Sequence, residues 1–382
     1  CYLTYTNEAT HAVIRANLHR APMANGVIEG IGPRYCPSIE TKIARFPDKE
    51  RHQLFLEPEG LHTNEIYVQG MSTSLPTDVQ EEFLRTIPGL QHAHMMRPGY
   101  AIEYDCLDPL QLEASLAVKE IAGLYSAGQA NGTSGYEEAA AQGLLAGINA
   151  ARACMGEEPL ILRRSDGYIG VLIDDLVTKG TEEPYRMMTS RAEYRLVLRQ
   201  DNADLRLTPI GRRIGLVSDA RWARFTAKRD AIEMALAQLR ETRLSPSAVT
   251  EERLAAAGIP PLRTPMTLFA LLAREGDYHA LAAVFDLPPI ADDVREEVEI
   301  MARYDGYIRK QEEQIARMER LEARRIPADI DYAAIGSLRL EAAEKLAAVR
   351  PRSIGQASRI SGVSPADISV LLVWLEKERR IS

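Results

Sequence analysis

Residues 123–143 read GLYSAGQANGTSGYEEAAAQG, and this run restricts the possible fold more than any other part of the chain. An apolar stretch leads into Gly128, a small polar loop follows, and an Ala-rich segment starts near Gly135. The spacing predicts a strand, a tight loop and a helix in immediate succession. A helix that starts straight after a strand presents backbone N–H groups and the positive end of its dipole. That end suits an anionic or electron-accepting group, and a reduced flavin, with negative charge spread towards N1 and the C2 carbonyl, is one such partner. Gly132, Thr133 and Ser134 are small enough for the backbone to approach a planar ring closely. An ordinary strand–helix junction carries the same pattern, so the run by itself leaves both readings open.

Two regions flank residue 155. Before it, short β-prone runs alternate with Gly- and Pro-rich turns, predicting strands at 1–6, 26–31, 53–56, 65–68, 101–104 and 124–127. A helix over 135–153 closes this part. These runs predict the tail of an α/β or α+β domain, followed by an all-α region. The boundaries expected are 1–155 for the first domain, 156–310 for a helical domain and 311–382 for a small helical C-terminal domain.

Helical periodicity governs the rest. Trp222, Phe225, Met234 and Leu236 belong to one amphipathic segment. Over 292–325, Met301, Tyr304, Ile308, Ile315 and Met318 recur at three- and four-residue steps, with Gln311 the one polar member of the stripe. This predicts a long packed helix that is too short in heptads for a coiled coil. Near the end, Ser364 and Pro365 start a helix, Asp367 takes the capping-box position, and Ile368, Leu371, Leu372 and Leu375 line one face. A shorter helix around 355–360 precedes a Ser361–Gly362 turn, so the outline is helix–turn–helix, a shape shared by compact helix pairs and groove-reading modules.

Composition removes several classes. No stretch approaches ~18 consecutive apolar residues, which argues against a membrane-spanning helix. No basic-then-apolar leader marks the chain for secretion. The cysteines Cys1, Cys36, Cys106 and Cys154 show neither CxxC pairing nor a His at zinc-ligand spacing, so no metal site is expected and reduced cytosolic thiols are. The net charge of −8 weighs against a general nucleic-acid binder, yet a local basic surface still binds phosphates. The chain opens on Cys1 and reads like the middle of a domain, which predicts a partial sequence.

Two further constellations carry chemistry. In residues 28–46, IEGIGPRYCPSIETKIARF, Cys36 lies two residues after Arg34, and a nearby guanidinium favours the reactive thiolate. Pro33 and Pro37 stiffen that loop. A lone cysteine is equally at home as a small buried hydrophobe. Later, Arg186, Arg191, Arg195 and Arg199 recur every four or five residues, with Tyr185 and Tyr194 between them. On a helix, Arg191, Arg195 and Arg199 would share a face able to grip an RNA backbone while an aromatic stacks on an unpaired base. The same pattern fits a solvated face partly neutralised by Glu193 and Asp201.

The run AGQANGTSGYEEAAAQGLLAGINAA resembles the closing FAD motif of the MnmG (GidA) family nearly residue for residue. GPRYCPSIE, FLEPEGLHTNEIYVQGMSTSLP, MMRPGYAIEYD, the stretch 164–208, YDGYIRKQ and IGQASRISGVSPADIS resemble that family as well, so the likeness runs along the whole chain. It implies an α/β fold, an incomplete FAD/NAD(P)-binding Rossmann-like domain with a β-rich portion followed by an all-α C-terminal region, and FAD contacts at Gln129, Gly128, Asn131 and Gly132. It implies an NADH site over Gly32, Pro33, Arg34, Tyr35, Cys36, Pro37, Ser38, Ile39, Glu40, Thr41, Lys42, Ile43, Ala44, Arg45 and Phe46, with Cys36 as the catalytic candidate, and it strengthens the reading of the four arginines as RNA-binding. The implied activity is C5 modification of the tRNA wobble uridine with FAD, NADH and methylene-tetrahydrofolate, by a cytoplasmic homodimer working with the GTPase MnmE. A non-catalytic fragment that binds tRNA and MnmE is the alternative, with the folate- and FAD-dependent tRNA uridine methyltransferases behind it. One family feature is missing: no GxGxxG fingerprint occurs in these 382 residues. Weak or absent FAD binding by this chain alone is therefore expected.

Overall fold

The computed structural model describes residues 1–22, 25–28, 37–100 and 103–378. They form two compact units, each interrupted along the chain: residues 1–108, 127–139 and 181–186 make the first, and 109–126, 140–180 and 187–382 the second. The expected order of a mixed α/β portion followed by a helical region is present.

In the first unit, β1 (Tyr2–Tyr5), β2 (Gln53–Pro58) and β3 (Ile66–Gln69) build an antiparallel sheet in the order β1-β2-β3. The register pairs Thr4 with Leu54 and Leu56 with Val68. Because side chains alternate across a strand, this turns Thr4 and Leu54 to the buried face. Helix α1 (Glu8–Asn17) follows β1 after one turn. Asn7 caps it reciprocally with Thr10, accepting from the Thr10 N–H at 3.0 Å while Thr10 Oγ1 receives the Asn7 N–H at 3.3 Å. Ile14 of α1, Ile39 and Ile43 of α2 (Ile39–Arg45), Leu54, and Val79 and Phe83 of α3 (Thr77–Leu84) share one core. Among the predicted strands, 1–6, 53–56 and 65–68 are found. The described parts of 26–31 and 101–104 are not strand.

The 19-residue helix α4 (Tyr136–Cys154) begins in the first unit and continues as part of the second. The predicted strand at 124–127 is instead a bend with a single bridge, Tyr125 to Ala117. Leu116 beside it is fully buried at φ 68°, a conformation that ends regular pairing.

The second unit continues with α5 (Tyr168–Lys179), α6 (Ala203–Arg213), α7 (Asp219–Glu241), α8 (Ala248–Ala256), α9 (Leu268–Glu275), α10 (Tyr278–Phe285) and the 31-residue α11 (Asp292–Glu322). A two-residue ladder, β4 (Arg243–Leu244) with β5 (Met266–Thr267), is the small β element within it. Leu239, Leu271, Leu272, Leu281 and Val298 are fully buried in their shared core. Two sequence expectations change here. Met234 is 67% exposed and not on the buried face of α7. The buried residues of α11 are Val294, Glu297, Val298 and Ala302, while the periodic stripe of Met301, Ile308, Ile315 and Met318 is only half-buried. The period located the helix but not its deepest side.

The end of the chain packs α12 (Leu340–Val349), α13 (Ile354–Ala357) and α14 (Pro365–Glu378) around Leu346, Ile354 and Leu371. The expected capping box forms. The Ser364 N–H donates to Asp367 Oδ2 at 2.8 Å and the Asp367 N–H to Ser364 Oγ at 3.3 Å.

Candidate functional sites

The loop of residues 127–136 is built by glycine geometry. Ala127 is extended, Gly128 turns to φ 85°, a single 3-10 turn spans Gly128–Asn131, and Gly132 lies at φ 78°. A Cβ on Gly132 would fall 2.5 Å from Thr181 Oγ1, and one on Gly135 would overlap the Glu138 carboxylate and the Arg186 guanidinium. Both the dihedral and the space at Gly132 demand glycine. The loop is then tied down. The Gly132 N–H reaches Gln129 O at 2.8 Å and Thr133 Oγ1 reaches Gly128 O at 3.1 Å. Tyr185 joins it in a short parallel bridge: its N–H donates to Gly132 O at 2.8 Å, and its carbonyl accepts from the Ser134 N–H at 2.9 Å. Asn131 and Thr133 are buried, while Gln129 donates to Asp105 O at 3.1 Å. The structure thus brings Gln129, Gly128, Asn131 and Gly132 into one rigid turn at the start of α4.

Arg186 sits at the same place. Its guanidinium lies 3.6 Å from Glu137 and 3.7 Å from Glu138, and it donates to Ser134 O at 3.2 Å. One cation from elsewhere in the chain therefore offsets part of the charge of the two acidic residues in the first turn of α4.

Residues Gly32, Pro33, Arg34, Tyr35 and Cys36 lie outside the described residues. In the following stretch, Ser38 caps α2 through the Thr41 N–H at 3.3 Å, and Ile39 and Ile43 enter the core. Glu40 is 3% exposed and accepts from the Ser74 N–H at 2.8 Å and Ser74 Oγ at 2.7 Å. Lys42 holds the Gly70 carbonyl at 3.3 Å. Ala44, Arg45 and Phe46 are exposed, with Lys49 over the Phe46 ring.

The predicted arginine-bearing helix does not form. Residues Thr189–Arg191 make one 3-10 turn and the chain then bends. The Leu196 and Val197 N–H groups donate to Gln311 Oε1 at 3.1 and 3.3 Å, and the Arg199 N–H to Asn202 Oδ1. The Leu198 N–H keeps the Tyr194 carbonyl four residues back for one turn, but no helix runs through residues 191–199 and the shared face of Arg191, Arg195 and Arg199 is lost. Tyr185 and Tyr194 are buried and present no ring for stacking. Arg199 is half-buried between Asp201 at 2.9 Å and Glu297 at 2.6 Å, and Arg195 is exposed.

A second constellation was not anticipated. Arg164, 8% exposed, donates to Asp175 at 2.8 Å, Asp174 at 3.1 Å and both oxygens of Glu193 at 2.8 and 2.9 Å. Arg359 grips both oxygens of Asp174 at 2.7 Å and pairs with Glu322 at 2.5 Å. Burial opposes charge on Arg164, but the Glu193 hydrogen bonds and the Asp175 and Asp174 charges outweigh it and raise its pKa. The adjacent Asp174–Asp175 pair on α5 and Arg164 ten residues earlier were its only trace in the sequence.

A mixed α/β portion with a glycine-built loop at a helix start, followed along the chain by a large helical region, defines the class of fold. Residues 1–158 match the model of the family described as Glucose inhibited division protein A. Residues 219–312 and 314–382 match the C-terminal helical domain and the C-terminal helical bundle of the tRNA modifying enzyme MnmG/GidA. The chain belongs to the MnmG/GidA family. It is 59% identical over 382 residues to the tRNA uridine 5-carboxymethylaminomethyl modification enzyme MnmG of Caldicellulosiruptor saccharolyticus and 57% identical to that of Clostridium botulinum, with all of this chain and 61% of each relative covered. The Aquifex aeolicus GidA structure in its form II crystal superposes with a TM-score of 0.84 at 47% identity, covering 98% of this chain and 58% of that one. The chain therefore spans about three fifths of the length of these relatives.

Proposed function

We propose that the protein to which this chain belongs modifies the wobble uridine of tRNA at C5, installing an aminomethyl-type group. The observation that carries the reading is the 59% identity over 382 residues to an enzyme named for that reaction. On this reading the enzyme is a cytoplasmic homodimer that works with the GTPase MnmE and takes its carbon from methylene-tetrahydrofolate.

The residues of the 127–136 loop fit a flavin. Its backbone turns at two positive-φ glycines, is fixed by hydrogen bonds, and has the Arg186 guanidinium beside it. Gly128, Gln129, Asn131 and Gly132 would hold FAD, which supplies two-electron chemistry with NADH when bound. The residues from Gly32 to Phe46 would take the nicotinamide cofactor, a reading that the family resemblance supports. Cys36 is the candidate nucleophile. Its thiolate adds to C6 of uracil and makes C5 an enolate carbon. After C5 attacks the one-carbon electrophile, loss of the C5 proton expels the thiolate.

The test is nucleoside mass spectrometry of unmodified tRNA treated with the full-length protein, FAD, NADH, methylene-tetrahydrofolate, ammonium or glycine, and MnmE. Mass gain at the wobble uridine is expected, and loss of that gain in Cys36→Ser. A methyl group on a T-loop uridine instead would assign the protein to the methyltransferases. Full activity of Cys36→Ser would remove the nucleophile assignment alone.

A further inference from the structure

Helix α11 carries ten acidic residues in 31, yet one strip of its surface between residues 302 and 314 has none. At about 100° per residue, Arg303, Tyr304, Tyr307, Lys310, Gln311 and Gln314 fall within about 60° of Tyr307. Asp305, Glu312 and Glu313 all lie more than about 100° away by the same count. Tyr307 is 66% exposed and Tyr304 39%, whereas Tyr185, Tyr194 and Tyr278 of the same chain are buried.

A second segment meets the strip. Gln311 holds the Leu196 and Val197 N–H groups through Oε1 and donates to Glu193 O at 3.4 Å. This places Arg195, exposed, beside the lower end of the strip. The neighbouring Glu193 carboxylate is occupied by Arg164. Among the described residues, neither Arg195 nor Lys310 forms an ion pair. Arg303 has one N–H directed to the Gly276 carbonyl at 3.4 Å and no carboxylate partner among them.

We propose that this strip, Tyr307 flanked by Lys310, Arg303 and Arg195, grips an unpaired stretch of RNA. The cations meet phosphates, and an exposed tyrosine ring offers a stacking platform to a base that has left its duplex. Within a chain of net charge −8, a strip cleared of carboxylates is complementary to a polyanion. The inference rests on the tRNA reading above; it keeps Arg195 from the arginine spacing and adds Tyr307, Lys310 and Arg303.

The experiment measures binding of fluorescein-labelled tRNA by the full-length protein, and by variants in this chain, over a range of salt. Tyr307→Ala is expected to weaken binding about 5- to 150-fold, the range for one base–aromatic stack, and Tyr307→Phe to bind like the parent. Lys310→Gln and Arg195→Gln are each expected to reduce the slope of log affinity against log salt by about 1. Arg309→Gln, on the far side of α11, is expected to leave both unchanged. Circular dichroism of each variant guards against unfolding. A folded Tyr307→Ala chain that binds within twofold of the parent overturns the strip while leaving the tRNA reading intact. Equal losses from Arg309→Gln and Lys310→Gln overturn it too, because attraction is then diffuse. A parent chain that binds no tRNA overturns both.

Discussion

The two units solve the problem of buried polarity in opposite ways. In the first, the cluster beside the sheet is neutral and joined by hydroxyls, while the buried Glu40 is held by Ser74 and Glu138 lies beside Arg186. Thr6 Oγ1 meets His11 Nε2 at 2.8 Å and accepts the His52 N–H at 2.8 Å, and Thr10 and Thr86 share a proton at 2.7 Å. Burial lowers the pKa of both imidazoles from the ordinary 6.5. In the second, charges are buried together, around Arg164 and around Arg199 with Glu297. Neutral clusters cost little to desolvate, whereas charged ones hold only while every partner is present. Geometry is therefore more fragile in the second unit than in the first.

The largest expected effect follows from that fragility. Arg164→Ala removes the guanidinium that pairs with Asp175, 2% exposed, and should destabilise the second unit by about 3–5 kcal/mol. Urea unfolding followed by tryptophan fluorescence reads this unit selectively, because both tryptophans, Trp222 and Trp374, belong to it. A loss below about 1 kcal/mol would erase the contrast. Thr6→Val is the matching change in the first unit. It strands a histidine nitrogen and a backbone N–H and should cost about 1–3 kcal/mol, measured by hydrogen exchange of residues 2–14. A cost equal to that of Arg164→Ala would show the hydroxyl cluster to be no gentler.

The smallest effect is in pH, where the two units should slope in opposite directions. The folded imidazoles bind protons less readily than unfolded ones, so the first unit loses stability as pH falls below 6.5. Burial, then the neighbouring Asp201 carboxyl, push Glu297 up to about 7 despite the Arg199 guanidinium. A carboxyl raised in the folded state gives stability that is present below its unfolded value of 4.5 and lost as pH climbs through about 7. Unfolding at pH 5.5 and 7.5, followed by histidine ring signals and by tryptophan, separates the two, and Glu297→Gln should flatten the second slope only. Slopes of the same sign would break the comparison.

The contrast also explains what was legible. Local chemistry was: the strands at β1, β2 and β3, the glycine loop into α4, and the Ser364–Asp367 cap all follow from neighbours in sequence. Features decided at a distance were not. Arginines at four- and five-residue steps read as a helix, but the N–H groups of Leu196 and Val197 bond to a glutamine more than a hundred residues later. Gln311 stood out as the polar residue in an apolar stripe, and its role became visible only with its partner in place. Arg186 likewise joined the α4 start and not an arginine face, because Glu137 and Glu138 lie some fifty residues before it. The span of Cys36 stays at the level of family resemblance.

The bridge between Tyr185 and residues 132–134 fixes an order of events during synthesis. The glycine turn at the start of α4 leaves the ribosome first, but the segment that clasps it follows about fifty residues later. At ~5–20 residues per second, the turn waits about 3–10 s for its closing strand. Until residue 186 arrives, the acidic first turn of α4 lacks the Arg186 guanidinium that the fold sets beside it.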